Sequence, residues 1–253
     1  MSKTKNRTVI VTGGSKGIGL AISRAFYEEG YTVVVGSRKK PQEWSNLGGR
    51  VLFKSTDVRS EKDHLELAKA ALNLTGRIDA YVNCAGISLW RPCQEVDSDF
   101  WDLIVDTNLK GLFWGCKTAA KVLKKDGCII NVSSLAGKRG SANNSVYCAS
   151  KFGVNGITQS LARELGAQGI RVNAVCPVYV KTKGVLEALA EEFSPAAGKD
   201  VNKYLKKFAL ENSALKRLPL ANEVAAVCVF LASAKASAVT GQCINVDCGV
   251  LVQ

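Results

Sequence analysis

Short apolar, β-branched runs alternate with helical patterns from one end of the chain to the other. The runs fall at 8–11, 31–35, 50–55, 78–82, 128–132, 171–175 and 243–246, each bounded by glycine or a polar residue, and they predict strands. Between them, LAISRAFYEEG closes at Gly30 and a second amphipathic stretch runs to about residue 75 before Gly76. Longer patterns over 98–125 and 145–168, and an apolar one over 221–234, complete the predicted helices. Residues 183–218 are polar and Lys/Glu-rich, with Ser194-Pro195 and Gly198 inside, and read as a helical insertion that could act as a mobile substrate lid. No Pro/Gly/Ser-rich linker and no repeat interrupts the alternation. The expectation is a single α/β domain over 1–253: a Rossmann-like, doubly wound parallel sheet of about seven strands with helices on both faces.

In such sheets the ligand lies beyond the carboxyl ends of the strands. The first strand runs directly into Thr12-Gly-Gly-Ser-Lys-Gly-Ile-Gly19 and then a helix, which is the context a phosphate-binding loop needs. Gly13 permits the tight turn, Gly17 lets a pyrophosphate approach the backbone, and Gly19 lets helix and strand pack closely. Ser15, Lys16 and Ile18 complete the loop, and the helix start offers unpaired N–H groups to an anion. The glycine spacing is GxxxGxG rather than GxGxxG. The second strand ends at Gly36-Ser37-Arg38-Lys39, with no carboxylate to bind a ribose 2′-hydroxyl and repel a 2′-phosphate. Ser37, Arg38 and nearby Lys16 therefore suit NADP(H) rather than NAD.

Composition narrows the function classes. Of 253 residues, 47% are hydrophobic and 22% charged, which is globular. No run of 18 apolar residues exists, so no membrane span is expected. The apolar run behind the basic N-terminus is too short for a signal-peptide core, and the expected location is cytoplasmic. Nine scattered cysteines without CxxC argue against a disulfide framework. The only histidine, His64 in EKDHLELAKA, is expected on the surface of its helix; a His-based zinc site or Ser-His triad has little to work with, and no metal is expected. Net charge is +12, from 34 basic against 22 acidic residues. The basic residues are dispersed without interleaved aromatics, so no nucleic-acid partner is expected, while anionic ligands would be attracted.

Candidate chemistry centres on residues 133–151. Tyr147 and Lys151 stand at i and i+4, so a helix from residue 145 puts both on one face. A neighbouring ammonium favours phenolate and should bring the Tyr147 pKa down toward working pH. Ser134 follows the 128–132 strand and offers a hydroxyl at a strand end. Asn108 sits within the long 98–125 helix, a polar residue of low helix propensity that is either solvent-facing or special.

These residues resemble the short-chain dehydrogenase/reductase family nearly end to end. TGGSKGIG is similar to its TGxxxGxG cofactor loop, and Asn83-Cys-Ala-Gly86 to its NNAG with one substitution. The resemblance implies Asn108, Ser134, Tyr147 and Lys151 as a catalytic tetrad. It implies adenine contacts from Asp57 with Val58, and further cofactor contacts from Asn83, Ala85, Gly86, Pro177, Val180 and Thr182. It also implies hydride transfer between NADP(H) and a carbonyl or secondary alcohol. Tyr147 would be the general acid/base, Ser134 would bind the substrate oxygen, and Lys151 would lower the Tyr147 pKa and hold the nicotinamide ribose. Asn108 would kink its helix and hold a water. Two positions depart: Pro177-Val178 replaces the common Pro-Gly, and Asp247-Cys248-Gly249 the common Asp-Gly-Gly.

Acyl-carrier reductases of the family often follow NNAG with Thr-Arg-Asp, whereas here Ile-Ser-Leu-Trp-Arg follows Gly86. This favours a small ketone, polyol or keto-sugar as substrate, with a 3-oxoacyl thioester second. Basic Lys138-Arg139 beside the entrance keeps an acidic carrier protein in view. Trp90 either walls a substrate pocket or is an ordinary loop residue, and Arg91 either meets an anionic group or is likewise ordinary. A non-catalytic nucleotide sensor on the same fold needs only the cofactor loop, and the intact tetrad counts against it. A nucleotide-sugar epimerase would need a longer C-terminal domain. The resemblance further implies a homotetramer (or homodimer) built on the long helices and the C-terminal strand, with the tail from Val250 to Gln253 buried at an interface.

Overall fold

Seven strands form one parallel sheet: β1 (Thr8–Thr12), β2 (Thr32–Ser37), β3 (Val51–Ser55), β4 (Ala80–Asn83), β5 (Cys128–Val132), β6 (Arg171–Pro177) and β7 (Cys243–Val246). Their order is β3-β2-β1-β4-β5-β6-β7, so the chain reverses direction across the sheet between β1 and β4. The computed structural model describes residues 7–40 and 49–252. The basic residues 1–6, residues 41–48 and Gln253 of the apolar tail lie outside them.

The described residues form eight α-helices, α1 (Gly17–Glu28), α2 (Glu61–Thr75), α3 (Ser98–Val105), α4 (Gly111–Val122), α5 (Ser145–Leu165), α6 (Lys183–Leu189), α7 (Val201–Asn212) and α8 (Ala221–Ala232), of which α1, α2, α4, α5 and α8 pack on the sheet. Successive strand side chains go to opposite layers. Val9 and Val11 of β1 pack with Ile22 and Phe26 of α1 and Val224 and Cys228 of α8. Ile10 between them packs with Leu67 of α2, Cys116 of α4 and Val154 of α5. Because both faces are covered, the strands are apolar throughout rather than alternating. Ser60 caps α2 by accepting from the Asp63 N–H, and Gly76 ends it at φ 74°.

The structure refines several sequence boundaries. The long 98–125 helix is three pieces, α3, a π-turn at Asp106–Lys110, and α4, and it ends at Val122. β2 continues through Gly36 to Ser37 and β6 through to Pro177, which carries both strand ends farther toward the ligand crevice. The 183–218 insertion folds as α6 and α7, whose Leu189, Ala196 and Leu205 form a separate apolar cluster with Trp90.

His64 is a correction. It is fully buried rather than exposed, with Nε2–H donating to the Val58 carbonyl at 3.0 Å and Nδ1 accepting from the Tyr81 hydroxyl at 2.8 Å. His64, Leu67, Ala68 and Ala71 form the inward stripe of α2, so His64 begins the apolar period rather than interrupting it. Burial pushes its pKa below the usual 6.5. Below that value the unfolded chain binds a proton that the native state resists, so stability is lost as pH falls toward the native pKa. We expect the melting temperature to fall as pH drops through the mildly acidic range, and His64→Gln to flatten that dependence. His64→Ala should cost about 3 kcal/mol by stranding two buried polar groups. A histidine variant with the wild-type acid profile in thermal melts would contradict this.

Candidate active site

The loops after β1, β4, β5 and β6 all leave from the carboxyl ends of the parallel strands, around the point between β1 and β4 where the strand order reverses. Thr12 joins the first two: its Oγ1 accepts from the N–H groups of Cys84 at 3.1 Å and Ala85 at 3.4 Å. Gly13 then turns with φ +68°, and a Cβ there would sit 2.7 Å from Ala85 Cα. Gly19 is as tight, since its Cβ would lie 2.2 Å from the Gly13 carbonyl oxygen. Only glycine satisfies both approaches. No side chain caps α1 and its first turn has no acidic residue, so its leading N–H groups are open to an anion. Lys16 and Gly17 are exposed there, Ser15 and Ile18 are half-buried, and a Cβ placed on Gly17 would lie 3.5 Å from the Thr182 side chain. An uncapped helix start, a backbone stripped of Cβ atoms and a hydroxyl residue across the gap fit a dinucleotide pyrophosphate.

The adenosine end is partly as expected. Ser37 is buried with its hydroxyl donating to the Lys39 carbonyl at 2.8 Å, while Arg38 is exposed. Asp57 pairs with Arg59, Oδ2 to Nη2 at 2.6 Å, and this hydrogen bond, aided by Arg38, holds its carboxyl below the usual range. Arg38 and Asp57 thus share one rim. Val58 is buried and its carbonyl is taken by His64. Asn83 turns inward: Nδ2 donates to Asn131 Oδ1 at 3.0 Å, so its side chain braces β4 against β5.

The four tetrad candidates come together. Asn108 sits on the π-turn, fully buried rather than solvent-facing. Such turns widen the helix locally and mark functional positions. Its Oδ1 accepts from the Ile87 N–H and its Nδ2 donates to the Ile87 carbonyl, both at 2.8 Å. Gly86 lies under the pair, with a Cβ position 3.1 Å from Asn108 Oδ1 and 3.7 Å from Lys151 Nζ. Lys151 is 5% exposed, and its Nζ donates to the Val132 carbonyl at 2.9 Å. Burial lowers its pKa to about 8. Its Nζ stands 5.8 Å from the centre of the Tyr147 ring. Ser134 starts a single 3-10 turn after β5, its Oγ accepting from the Ala136 N–H at 3.2 Å and donating to the Pro177 carbonyl at 3.5 Å.

The Tyr147 pKa expectation is corrected by the fold. Burial raises it above 10, and the opposing influences are the hydroxyls of Ser134 and Ser88, not the ammonium. Desolvation of the phenol outweighs a cation that is itself desolvated. Of the two readings left open for Arg91, the contacts favour the ordinary one: it pairs with Asp97 at 3.1 Å and lies 4.3 Å above the Phe100 ring. Trp90 is 6% exposed and seats the α6–α7 insertion. Val180 is buried, its carbonyl accepting from the Thr182 N–H at 2.7 Å, and Thr182 caps α6. Sequence reasoning missed Ser88, Thr12 and the aromatic group Tyr179, Tyr204 and Phe208 beside the entrance. Ser88 had a signal: it is the first hydroxyl after Asn83-Cys-Ala-Gly86.

Among the described residues no group of three or more His, Cys, Asp or Glu could hold a metal, and all nine cysteines are free. No helix among them is long and apolar enough to cross a membrane.

A parallel sheet with a glycine turn at its reversal point and a Ser-Tyr-Lys group facing it defines a dinucleotide-linked oxidoreductase architecture. A family model described as enoyl-(acyl carrier protein) reductase matches residues 13–251. The 3-oxoacyl-(acyl-carrier-protein) reductase of Staphylococcus epidermidis is 35% identical over 255 residues, covering 97% of this chain and 99% of its own. Among solved structures, an actinorhodin polyketide ketoreductase variant with NADPH aligns at TM-score 0.89 and 31% identity, covering 99% of both chains. Ligand-free Thermoplasma acidophilum aldohexose dehydrogenase aligns at TM-score 0.88 and 32% identity, over 97% of this chain and 94% of that one. The chain belongs to the short-chain dehydrogenase/reductase family of oxidoreductases.

Gly13→Ala should weaken dinucleotide binding at least about ten-fold in a fluorescence titration with NADPH, because the new methyl displaces Ala85 and the φ is unfavourable. Unchanged affinity would remove the glycine turn from the binding site.

Proposed function

We propose that the protein is an NADP(H)-dependent oxidoreductase that interconverts a carbonyl and a secondary alcohol. The observation carrying this reading is the Ser134–Tyr147–Lys151 group, its lysine buried and its serine and tyrosine half-buried, at the same crevice as an uncapped, glycine-lined helix start. NADPH, when bound, supplies a hydride to the carbonyl carbon. Tyr147 gives its phenolic proton to the carbonyl oxygen as negative charge develops there, and takes it back in the reverse direction. Ser134 hydrogen-bonds the same oxygen and stabilises that charge. Lys151, next to Gly86 and Asn108, holds the nicotinamide ribose and its positive charge favours the phenolate once the site is closed. Gly13 to Gly19 cradle the pyrophosphate, with Thr182 across from Gly17 on the carboxamide. Arg38, with no carboxylate at position 37, and Lys16 take the 2′-phosphate, and Asp57 with Val58 borders the adenine.

A small ketone, polyol or keto-sugar is the first substrate class, in keeping with the aldohexose dehydrogenase likeness and with a Trp90-seated insertion over the site. A 3-oxoacyl thioester on an acidic carrier is the second reading. It is favoured by the acyl-carrier relatives and by basic Lys138-Arg139, with Arg139 near enough to Tyr179 to oppose, in small part, the upward push that burial gives that phenol. A non-catalytic nucleotide sensor would not need a buried lysine beside a tyrosine. We propose a cytoplasmic homotetramer. Exposed Trp101, Phe113 and Phe152 on α3, α4 and α5 supply an apolar face for the assembly.

The test is NADPH consumption, with NADH alongside, over a panel of diketones, keto-sugars and acetoacetyl thioesters. Tyr147→Phe should bind NADPH normally and lose turnover by about 10²–10⁴-fold. Wild-type turnover in Tyr147→Phe, or no substrate in the panel, would refute the assignment.

A further inference from the structure

His64 is fully buried, and the proton-transfer chemistry has no use for it. Its ring joins two elements. The Tyr81 hydroxyl of β4, itself fully buried, meets Nδ1 at 2.8 Å, and Nε2 meets the Val58 carbonyl at 3.0 Å. A carbonyl can only accept, so Nε2 carries the proton and Nδ1 offers its lone pair to the phenol. The backbone of α4 closes around this contact. A Cβ on Gly115 would lie 3.2 Å from His64 Cε1, and one on Gly111 would lie 2.9 Å from the Val58 carbonyl oxygen. The start of α2 also holds the residue before Val58. Asp63 Oδ2 accepts from the Asp57 N–H at 2.8 Å, and the Ser60 N–H donates to the Asp57 carbonyl at 3.0 Å. Of these three bonds on Asp57 and Val58, the one from His64 continues through Tyr81 into the sheet.

We propose that His64 is a positioning residue for the adenosine half of NADP(H): its Nε2–H holds the Val58 carbonyl, and with it the Asp57–Val58 segment, where the adenine docks. The inference rests on the reading of Asp57 and Val58 as the border of the adenine. Tyr81 fixes the tautomer, because a neutral ring that accepts a phenolic proton at Nδ1 donates at Nε2. Val58 belongs to the link between the end of β3 at Ser55 and the start of α2 at Glu61, and has no sheet ladder to hold it. Without the tether the cofactor itself would have to order that link, and the cost would be lost from affinity. With the tether formed on folding, the adenine meets a border already in place. Both ring nitrogens of His64 are occupied by Val58 and Tyr81, so its effect falls on cofactor binding and not on the proton step.

Asparagine and glutamine divide the two bonds between them. Laid over histidine, the asparagine Oδ1 falls near Nδ1 and accepts from Tyr81, while the glutamine Nε2 falls near the ring Nε2 and donates to Val58. Each variant keeps one buried bond and loses the other, so thermal melts should show both destabilised to a similar degree. The test titrates wild type, His64→Asn and His64→Gln with 2′,5′-ADP, the adenosine fragment that carries the 2′-phosphate, by calorimetry. Steady-state NADPH oxidation with the best carbonyl of the panel runs alongside. His64→Asn should bind 2′,5′-ADP roughly five-fold more weakly, the loss of about one hydrogen bond, and raise the KM for NADPH by the same factor at unchanged kcat. His64→Gln should match the wild type in both. Wild-type affinity in His64→Asn, equal weakening in the two variants, or a lower kcat with an unchanged KM for NADPH would overturn the proposal. Should His64→Asn not fold, His64→Gln still decides, since weakened binding in that variant contradicts the role given to Nε2. The wild type separates this failure from failure of the parent reading. If it binds neither 2′,5′-ADP nor NADPH, the NADP(H) assignment falls and the positioning role with it; if it binds and His64→Asn binds equally, the positioning role falls alone.

Discussion

A lysine ammonium held almost out of water is the constraint on which the site depends. Lys151 is 5% exposed, and a pKa near 8 corresponds to roughly 3 kcal/mol against its charged form. A buried cation persists only where polar groups meet it. Here the Val132 carbonyl accepts from it at the end of β5, and the Asn108 amide oxygen lies near it across Gly86. These partners exist because β5 ends where it does and because the π-turn rotates Asn108 inward. An uninterrupted helix from 98 to 122 would displace that amide.

The loops around the lysine are fixed by single polar side chains rather than by their own secondary structure. Thr12 fastens the loop after β4 to the glycine turn, and Asn108 fastens the next residues to α5. Asn83, Asn131 and Thr158 form a buried chain beneath them, each amide donating to the next oxygen. Buried networks of this kind rigidify when their members are paired, and in this chain of bonds the Asn83 amide oxygen is the one group left without a partner among the described residues. The reacting groups are therefore held by the fold's own side chains, which reduces the reorganisation that proton transfer requires.

The sheet was legible in the sequence because its strands are buried on both sides, so each reads as an unbroken apolar run, and β5 and β7 begin and end where the pattern says. The cofactor turn was legible because glycine has no substitute at φ +68° against a neighbouring Cα. What escaped was pairing through space. His64 looks polar and exposed until Tyr81 and the Val58 carbonyl are seen beside it, although its place at the head of the Leu67–Ala71 stripe was readable. Arg91 looks available until Asp97 and Phe100 occupy it. The Tyr147 prediction weighed a neighbouring charge but had no measure of burial, and burial proved larger.

The most direct measurement is the ionisation of Lys151 itself, read from the ¹³Cε resonances of lysine-labelled, cofactor-free protein, with Lys151→Met assigning the signal. The account predicts that the resonance missing from Lys151→Met titrates with a midpoint at about 8. A midpoint at the ordinary lysine value of about 10.5 would mean that the ammonium is hydrated, and would contradict a dry, pre-assembled site.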